Sequence, residues 1–257
     1  MKIAAYQFNV CGDIQKNMAN IEKAIEQAVE KKVELIIFPE CALTGYPPRD
    51  IKAAKSVDTD KVDREINRLQ QLADINGINI IIGAVAYDGK YFNRAYVISP
   101  NKALDWYDKR ALYGWDKDNF EKGSKDGVFK IGKFTIGLRI CYEVRFPEYF
   151  RELYSAKTDL NIIMFNDVSE NDDSNRYRVI RSHLITRAVE NVTPVFTVNS
   201  TKSYQTAPTC ILDASGNVLR ACKRNTDGMI IYDFNKKELN FGEAGRRELS
   251  DELVAKN

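Results

Sequence analysis

Three residues whose side chains can act together in acyl-transfer chemistry stand at the ends of predicted strands. Glu40 ends the apolar run "LIIFPE", Lys109 ends "DWYDK", and Cys141 ends "GLRIC". Ligands gather beyond the carboxyl ends of strands in α/β sheets, so we expect these three side chains to converge. A thiolate is a nucleophile, a nearby glutamate can take the thiol's proton, and a lysine cation favours the thiolate and a developing oxyanion. Together they predict a cysteine nucleophile with its base and its cation.

Each of these residues has a simpler explanation when it is considered alone. A single glutamate is typical of a helix N-cap or the surface, a single lysine is usually solvated, and a single cysteine is more often a small core residue. The segment after the thiol, "CYEVRFPE", is crowded with charged residues. Such a polar setting is what a reactive thiol needs to ionise. The combination therefore favours the chemical interpretation.

The composition describes an ordinary globular chain. It has 257 residues, 44% of them hydrophobic and 29% charged, with a net charge of +2. Because the charge is nearly balanced, a nucleic acid or an anionic membrane surface is not the expected partner. The longest apolar runs are too short to cross a bilayer, and the N-terminus lacks the pattern of a signal peptide. We therefore expect a protein of the cytoplasm.

The cysteine and histidine content bears on redox state and metal binding. Five cysteines are scattered along the chain without a C-x-x-C spacing, and His183 is the single histidine. An odd, dispersed set of thiols predicts reduced cysteines rather than a disulfide framework. A zinc or similar site is not expected, since its usual ligands are missing.

Strand and helix patterns alternate in the first half of the chain, and antiparallel strand pairs follow. Asp13 is the expected N-cap of the first helix, and a second helix over about 58–76 is expected to end at Gly77. The polar segment 109–127 is predicted to be a loop. One mixed α/β domain over residues 1–257, with both sheet faces covered, is the simplest interpretation. The charged tail, about 242–257, is expected to be an interaction arm or a frayed end.

The motifs around the three residues resemble those of a known family. "FPECALTGYP", "YDKR" and "RICYEVRFPE" are similar in sequence, order and spacing to the signatures of the nitrilase superfamily of carbon–nitrogen hydrolases. The resemblance extends from about Lys2 to Leu249. It implies a four-layer α-β-β-α sandwich. It also implies pairing of subunits through their outer helices, hence a homodimer or higher homo-oligomer.

The resemblance also implies roles for the residues. Cys141 corresponds to the nucleophile, Glu40 to the general base, and Lys109 to the stabiliser of the oxyanion, with the backbone N–H of Tyr142 as a second donor. An amide would be attacked, ammonia would leave, and water activated by Glu40 would hydrolyse the resulting thioester. No metal or organic cofactor is implied.

One position departs from the family pattern. The family usually has a second glutamate seven residues before a glycine in the loop after the lysine. Counting back from Gly123 through "GWDKDNFEKG" leads instead to Asp116, one methylene shorter. Asp116 is expected either to fill the role of that glutamate or to be an ordinary loop carboxylate.

Three further residues are expected to border the pocket, namely Tyr46, Glu143 and Arg145. The guanidinium of Arg145 could hold a substrate carboxylate with two hydrogen bonds. Its alternative is an ion pair with Glu148 that braces the turn, which we favour slightly.

The leading functional hypothesis is an amidohydrolase that acts on a small linear amide, because "CYEVRFPE" is more similar to the amidase side of the superfamily. A nitrile hydrolase or an N-carbamoyl amine hydrolase with the same triad is the first alternative. A Cys141–His183 hydrolase and a non-catalytic relative remain further alternatives. The helical context of His183 favours a packing role for it.

Overall fold

Two six-stranded mixed sheets lie face to face in the computed structural model, which describes residues 1–254. The first sheet has the order β14-β1-β2-β3-β4-β5 and the second β13-β12-β10-β8-β7-β6, and β9 pairs with β11 as a small separate ribbon. The strands are β1 (Lys2–Gln7), β2 (Leu35–Ile37), β3 (Asn79–Tyr87), β4 (Tyr91–Ile98), β5 (Asp105–Asp108), β6 (Val128–Ile131), β7 (Phe134–Ile140), β8 (Leu160–Met164), β9 (Val168–Ser169), β10 (Val195–Val198), β11 (Tyr204–Gln205), β12 (Cys210–Leu212), β13 (Val218–Ala221) and β14 (Gly228–Asp233).

Helices cover the outer faces of both sheets. The α-helices of the described residues are α1 (Ile14–Glu30), α2 (Thr59–Asn76), α3 (Trp115–Asn119), α4 (Pro147–Ser155), α5 (Ser174–Glu190) and α6 (Phe241–Val254), of which α1, α2, α4 and α5 cover the sheets. The predicted cap of the first helix is confirmed, because the Asp13 side chain accepts hydrogen bonds from the backbone of Gln15 and Lys16. The second helix ends at Gly77 as predicted, and this glycine has the left-handed conformation that favours it there.

Alternating apolar residues build three separate core layers. Ile80 and Ile82 of β3 pack against α1 and α2, whereas Ile81 between them faces the other sheet. On the far side, α4 and α5 pack on the second sheet through residues such as Phe150 and Leu184. Three apolar layers between four layers of elements confirm the predicted α-β-β-α sandwich.

Two helices were not expected from the sequence. The predicted loop 109–127 contains the five-residue helix α3. The charged tail forms α6 through Val254, and Tyr154 on α4 donates a hydrogen bond from its hydroxyl to the Asp251 carboxylate of this helix. The last residues of the predicted arm, 255–257, lie outside the described residues. Among residues 1–254, none of the helices has the length and apolar character that crossing a bilayer requires.

The strand directions determine where the functional side chains meet. In the first sheet β1, β2 and β3 run parallel, and β5, antiparallel to β4, points the same way. In the second sheet β7, β8 and β10 are parallel to each other. The residues that follow β2, β5, β7 and β8 therefore gather at one end of the sandwich.

Candidate active site

Glu40 follows β2 and is held at the interface of the two sheets. It is 1% exposed. The backbone N–H of Asn166, just beyond β8, donates to Glu40 Oε2 at 2.9 Å, and the Asn166 side-chain amide donates to the Glu40 carbonyl at 3.0 Å. Gly83 of β3 allows this approach, since a Cβ there would lie 2.4 Å from the backbone nitrogen of Cys41. Glu40 is thus fixed through its backbone and its carboxylate.

Lys109 follows β5 and points its ammonium group at two carboxylates. Its Nζ lies 2.8 Å from Glu40 Oε1 and 2.8 Å from Asp116 Oδ2. Its backbone N–H donates to the Asn93 carbonyl at 2.9 Å, and its carbonyl accepts from Gly123 N at 3.0 Å. The lysine is buried with both of its charge partners, as a cation in such a place requires.

Asp116 reaches Lys109 despite its shorter side chain. It lies in the first turn of α3 and is buried. The Tyr46 hydroxyl donates to Asp116 Oδ1 at 2.8 Å, which leaves Oδ2 for the lysine. Burial keeps the pKa of Tyr46 well above its ordinary value, so this hydroxyl remains a donor. The structure thus places two of the predicted residues, Asp116 and Tyr46, in one hydrogen-bonded pair beside the lysine.

Cys141 is the first residue after β7 and is partly exposed. Its φ of +47° is a left-handed conformation that non-glycine residues rarely adopt, and a 3-10 turn, Cys141–Arg145, begins there. The N–H of Tyr142 lies in the first turn of this segment, where backbone donors have no acceptor within the helix. The thiol and the Tyr142 N–H therefore come from adjacent residues at the start of this turn.

The charges of the site act on the ionisation of the thiol and of its neighbours. Burial and the Glu40 carboxylate raise the pKa of Cys141 well above its ordinary value, against the opposing effect of Lys109. Burial likewise raises the pKa of Glu40, while Lys109 and the Asn93 amide hold it back. Burial alone would lower the pKa of Lys109, but the carboxylates of Glu40 and Asp116 raise it well above the ordinary value. These directions favour a protonated thiol at rest, with the Glu40 carboxyl group close enough to influence it.

Glu143 was expected to border the pocket, but its side chain lies inside the protein. It is fully buried, and its Oε1 accepts hydrogen bonds from the Tyr107 hydroxyl at 2.7 Å and from Arg110 N at 2.6 Å. Its Oε2 accepts from Ile140 N at 2.7 Å. Its carboxylate therefore ties the segment that follows Lys109 to the segment that carries Cys141, and it is occupied by protein donors.

Arg145 and His183 are neighbours outside this cluster. Within the described residues Arg145 makes no ion pair with Glu148; its guanidinium lies 5.7 Å from the ring centre of Tyr142. His183 lies on α5, where burial, together with Arg145 and Arg187, lowers its pKa. Along residues 1–254, no hydrogen bond joins His183 to Cys141, so the geometry gives the Cys–His alternative no support.

Sequence reasoning missed three polar residues at the site. Asn93 donates from Nδ2 to Glu40 Oε1 at 2.7 Å, and Asn166 holds Glu40 from the second sheet. Asp167, buried next to it, pairs with Arg176 at 2.7 Å and lies within the electrostatic reach of Cys141. Glu40 was predicted because it follows an apolar strand. The same reasoning applied to "LNIIMFND" would have identified Asn166 and Asp167. Asn93 lies within a strand, and a polar side chain buried there is the feature that would have marked it as a candidate site residue.

In the part of the chain that the structure describes, no group of three or more histidine, cysteine, aspartate or glutamate side chains is arranged to hold a metal ion.

Comparison with known proteins places the chain among related sequences. A family model described as carbon-nitrogen hydrolase matches residues 2–240. The chain is 27% identical to the glutamine-dependent NAD(+) synthetase of Thermotoga maritima over 57% of this chain, and it spans only 26% of that synthetase. It is 26% identical to the 2-oxoglutaramate amidase of Bacillus subtilis, with 92% of this chain and 91% of the amidase covered.

A solved structure shares the fold over the full length. The NitN amidase of Nesterenkonia sp. AN1 superposes with a TM-score of 0.84 at 22% identity, covering 100% of this chain and 99% of the other. A mutant of that amidase carries acrylamide added to its active-site cysteine, and a cysteine-to-alanine mutant has been solved with butyramide.

Proposed function

The chain belongs to the carbon–nitrogen hydrolase family, and on that basis we propose that it is a thiol amidohydrolase that cleaves the C–N bond of a small linear amide and releases ammonia. The observation that carries this proposal is Lys109, which lies 2.8 Å from both Glu40 and Asp116 at the end of the sandwich where Cys141 is presented. This arrangement supplies a base and a fixed cation beside a nucleophile.

The proposed reaction begins at the thiol. Glu40 takes the Cys141 proton as Sγ attacks the amide carbon, and Lys109 with the Tyr142 N–H stabilises the oxyanion. Glu40 then gives the proton to the nitrogen, the C–N bond breaks, and ammonia leaves a thioester on Cys141. Water then loses a proton to Glu40 and attacks the thioester carbon, the C–S bond breaks, and Glu40 returns the proton to the Cys141 sulfur as the carboxylic acid leaves. The sum is amide plus water giving acid plus ammonia.

The resting charge of the cluster bears on the substrate. Counted as formal charges, Glu40 and Asp116 supply two negative charges against the single positive charge of Lys109, a balance that disfavours another anion at the reacting carbon and suits a neutral amide. A carboxylate on the substrate would have to lie farther away. Arg145, which has no ion-pair partner among the described residues, is the proposed cation for it. The name of the Bacillus subtilis relative, a 2-oxoglutaramate amidase, agrees with such a substrate.

A substrate panel tests the reaction and its selectivity. Ammonia release would be measured with valeramide, with glutaramate as its carboxylate-bearing counterpart, with valeronitrile, and with N-carbamoyl-β-alanine. We expect turnover of the two amides, faster with glutaramate, and loss of that preference in Arg145→Ala. Equal losses on both amides would leave Arg145 as a brace for its turn. Turnover of the nitrile or the carbamoyl compound alone would replace the amidase proposal by one of those activities.

The acyl-enzyme provides a direct test of the mechanism. Rapid quenching with a slow amide, followed by intact mass measurement, should show an acyl group on wild-type protein and none on Cys141→Ala. A chain that never acquires the group and releases no ammonia from any amide would be a non-catalytic relative.

We also propose that the protein acts in the cytoplasm as a homodimer or a higher homo-oligomer. The family resemblance implies that subunits pair through outer helices, and α4 and α5, which pack on the second sheet, are the helices that we propose for this contact. Light scattering after size exclusion would give the number of subunits, and a monomer at micromolar concentration would contradict the proposal.

A further inference from the structure

Asn93 contacts both of the residues that flank the proposed nucleophile. It is 1% exposed in the middle of β4. Its backbone carbonyl accepts from Lys109 N at 2.9 Å, and its side-chain Nδ2 donates to Glu40 Oε1 at 2.7 Å. The buried Cys41 thiol lies 3.7 Å from Asn93 Oδ1 as a weak donor. The amide is thus oriented with its N–H toward Glu40.

The hydrogen bonds of Glu40 can be counted oxygen by oxygen. An ionised carboxylate offers about four acceptor positions, two on each oxygen. Oε1 accepts from Asn93 and from Lys109, so both of its positions are filled. Within residues 1–254, the donor to Oε2 is Asn166 N at 2.9 Å, which leaves one position of this oxygen open. Only Oε2 can therefore take a further proton without displacing a protein donor.

We propose that Asn93 is a positioning residue that fills Oε1 of Glu40, so that Oε2 is the atom that accepts the Cys141 proton. This inference deepens the proposed function and rests on it for the identity of the base. A donor on Oε1 also stabilises the ionised form of Glu40, which has to be present before the thiol can be deprotonated. Asn93 does not contact the substrate in this scheme.

The test uses alkylation of Cys141 as well as turnover. The rate of Cys141 modification by iodoacetamide would be measured by peptide mapping from pH 4 to pH 10 in wild type, Asn93→Ala and Asn93→Asp. Removing the amide donor should move the acid limb of the profile upward by about one pH unit, because a hydrogen bond to a charged group is worth on the order of 1.4 kcal/mol or more. Asn93→Asp should move it further, since a second carboxylate beside Glu40 disfavours ionisation.

Turnover gives the second readout. With the best amide, kcat of Asn93→Ala should fall about tenfold or more while KM changes little, because the residue acts on the base and not on the substrate. Cys41→Ser, which keeps a donor toward Oδ1, should retain more activity than Cys41→Ala. Asn191→Ala is the matched control, since Asn191 is also a fully buried asparagine with a side-chain hydrogen bond but lies at the end of α5. It should lower the melting temperature without moving the pH profile.

The outcomes separate this inference from the amidase proposal. If wild type hydrolyses no amide, the proposed function fails, while the alkylation profiles still report on Glu40 and Asn93. If folded Asn93→Ala keeps the wild-type acid limb, the inference is overturned even in an active amidase. Should Asn93→Ala not fold, the nearly isosteric Asn93→Asp decides, and an unshifted profile there overturns it equally.

Discussion

Asp116 Oδ2 lies 2.8 Å from Lys109 Nζ, at the position where the family resemblance leads one to expect a glutamate. The short helix α3 brings the backbone of Asp116 close enough to make up for the missing methylene, and the Tyr46 hydroxyl holds its other oxygen at 2.8 Å. Lys109 therefore has two carboxylate partners, Glu40 and Asp116, although the second one is an aspartate.

This geometry predicts that Asp116 acts on the chemical step. Asp116→Asn removes the negative charge beside Lys109 and should lower kcat by about 100-fold with a smaller change in KM. A loss of this size is typical when one group that stabilises the transition state electrostatically is removed. Asp116→Glu should retain measurable activity, and Tyr46→Phe should lose less than Asp116→Asn. Steady-state kinetics on the best amide would check this. Wild-type rates for Asp116→Asn would show that the carboxylate is a bystander.

The second prediction concerns the reactive thiol. Cys11, Cys141 and Cys222 are partly exposed, whereas Cys41 and Cys210 are buried. Iodoacetamide should modify Cys141 first, because among the three partly exposed thiols it is the one in the field of the Glu40 carboxylate, and Cys141→Ala should fold but not turn over. Burial raises the pKa of Cys222 to about 12 as well, but the groups that act on this thiol are Cys210 and the Ile230 backbone rather than a carboxylate that could take its proton, so it should react slowly. Peptide mapping in which Cys11 or Cys222 is labelled first would count against Cys141 as the nucleophile.

The third prediction separates a carboxylate base from a histidine base. Glu40→Gln and Lys109→Ala should each lower kcat/KM by about 100- to 1,000-fold. His183→Asn should retain most activity, since the charged groups that act on His183 are Arg145 and Arg187 and not the residues of the proposed triad. Thermal melting would show that each variant is folded. Comparable damage from His183→Asn and Glu40→Gln would mean that the Glu–Lys–Cys arrangement is the wrong mechanism.

The fourth prediction is the pH dependence of kcat/KM. Burial raises the pKa of Glu40, and its protonation removes the base, so activity should fall on acidification at a pH above about 4.3, the ordinary value for glutamate. The carboxylates around Lys109 raise its pKa well above the ordinary value, so the lysine should not cause a loss of activity up to about pH 10. A profile from pH 4 to 10 by ammonia release tests both limbs. An acid limb below pH 4, or an alkaline loss near neutrality that Lys109→Arg moves, would contradict these directions.

The parts of the site that the sequence could predict are those that local rules govern. Glu40, Lys109 and Cys141 each end an apolar run, and parallel strands bring such ends together. Asp116 came from the family resemblance, which implies a carboxylate seven residues before Gly123. The helices with an N-cap or a terminal glycine, such as the one that begins after Asp13, could also be predicted.

The remaining parts depend on contacts between distant segments. Glu143 is charged and lies next to a reactive thiol, which suggests a pocket residue, but its partners come from β5, from the segment after Lys109 and from β7. The partner of Asn93 lies 53 positions away, across the first sheet. Helix α3 has five residues, which is too short for apolar residues to repeat at helical spacing, so its sequence pattern predicts a loop.

The last prediction concerns Gly83, whose missing side chain positions Glu40. A Cβ at Gly83 would lie 2.4 Å from Cys41 N and 2.6 Å from the Pro39 carbonyl, and neither backbone atom can move without moving Glu40. Gly83→Ala should therefore lower the free energy of unfolding by about 1–3 kcal/mol. Because a displacement of about 1 Å in a catalytic group can cost about 100-fold in rate, activity should fall by that order even in the folded fraction.

Gly245→Ala is the matched control, since its Cβ would meet nothing within 4 Å on helix α6, and alanine should stabilise that helix by up to about 1 kcal/mol. Melting curves and kcat for both variants give the comparison. A folded Gly83→Ala with wild-type kcat would contradict this prediction, because it would show that a methyl group at position 83 can be accommodated without displacing Glu40.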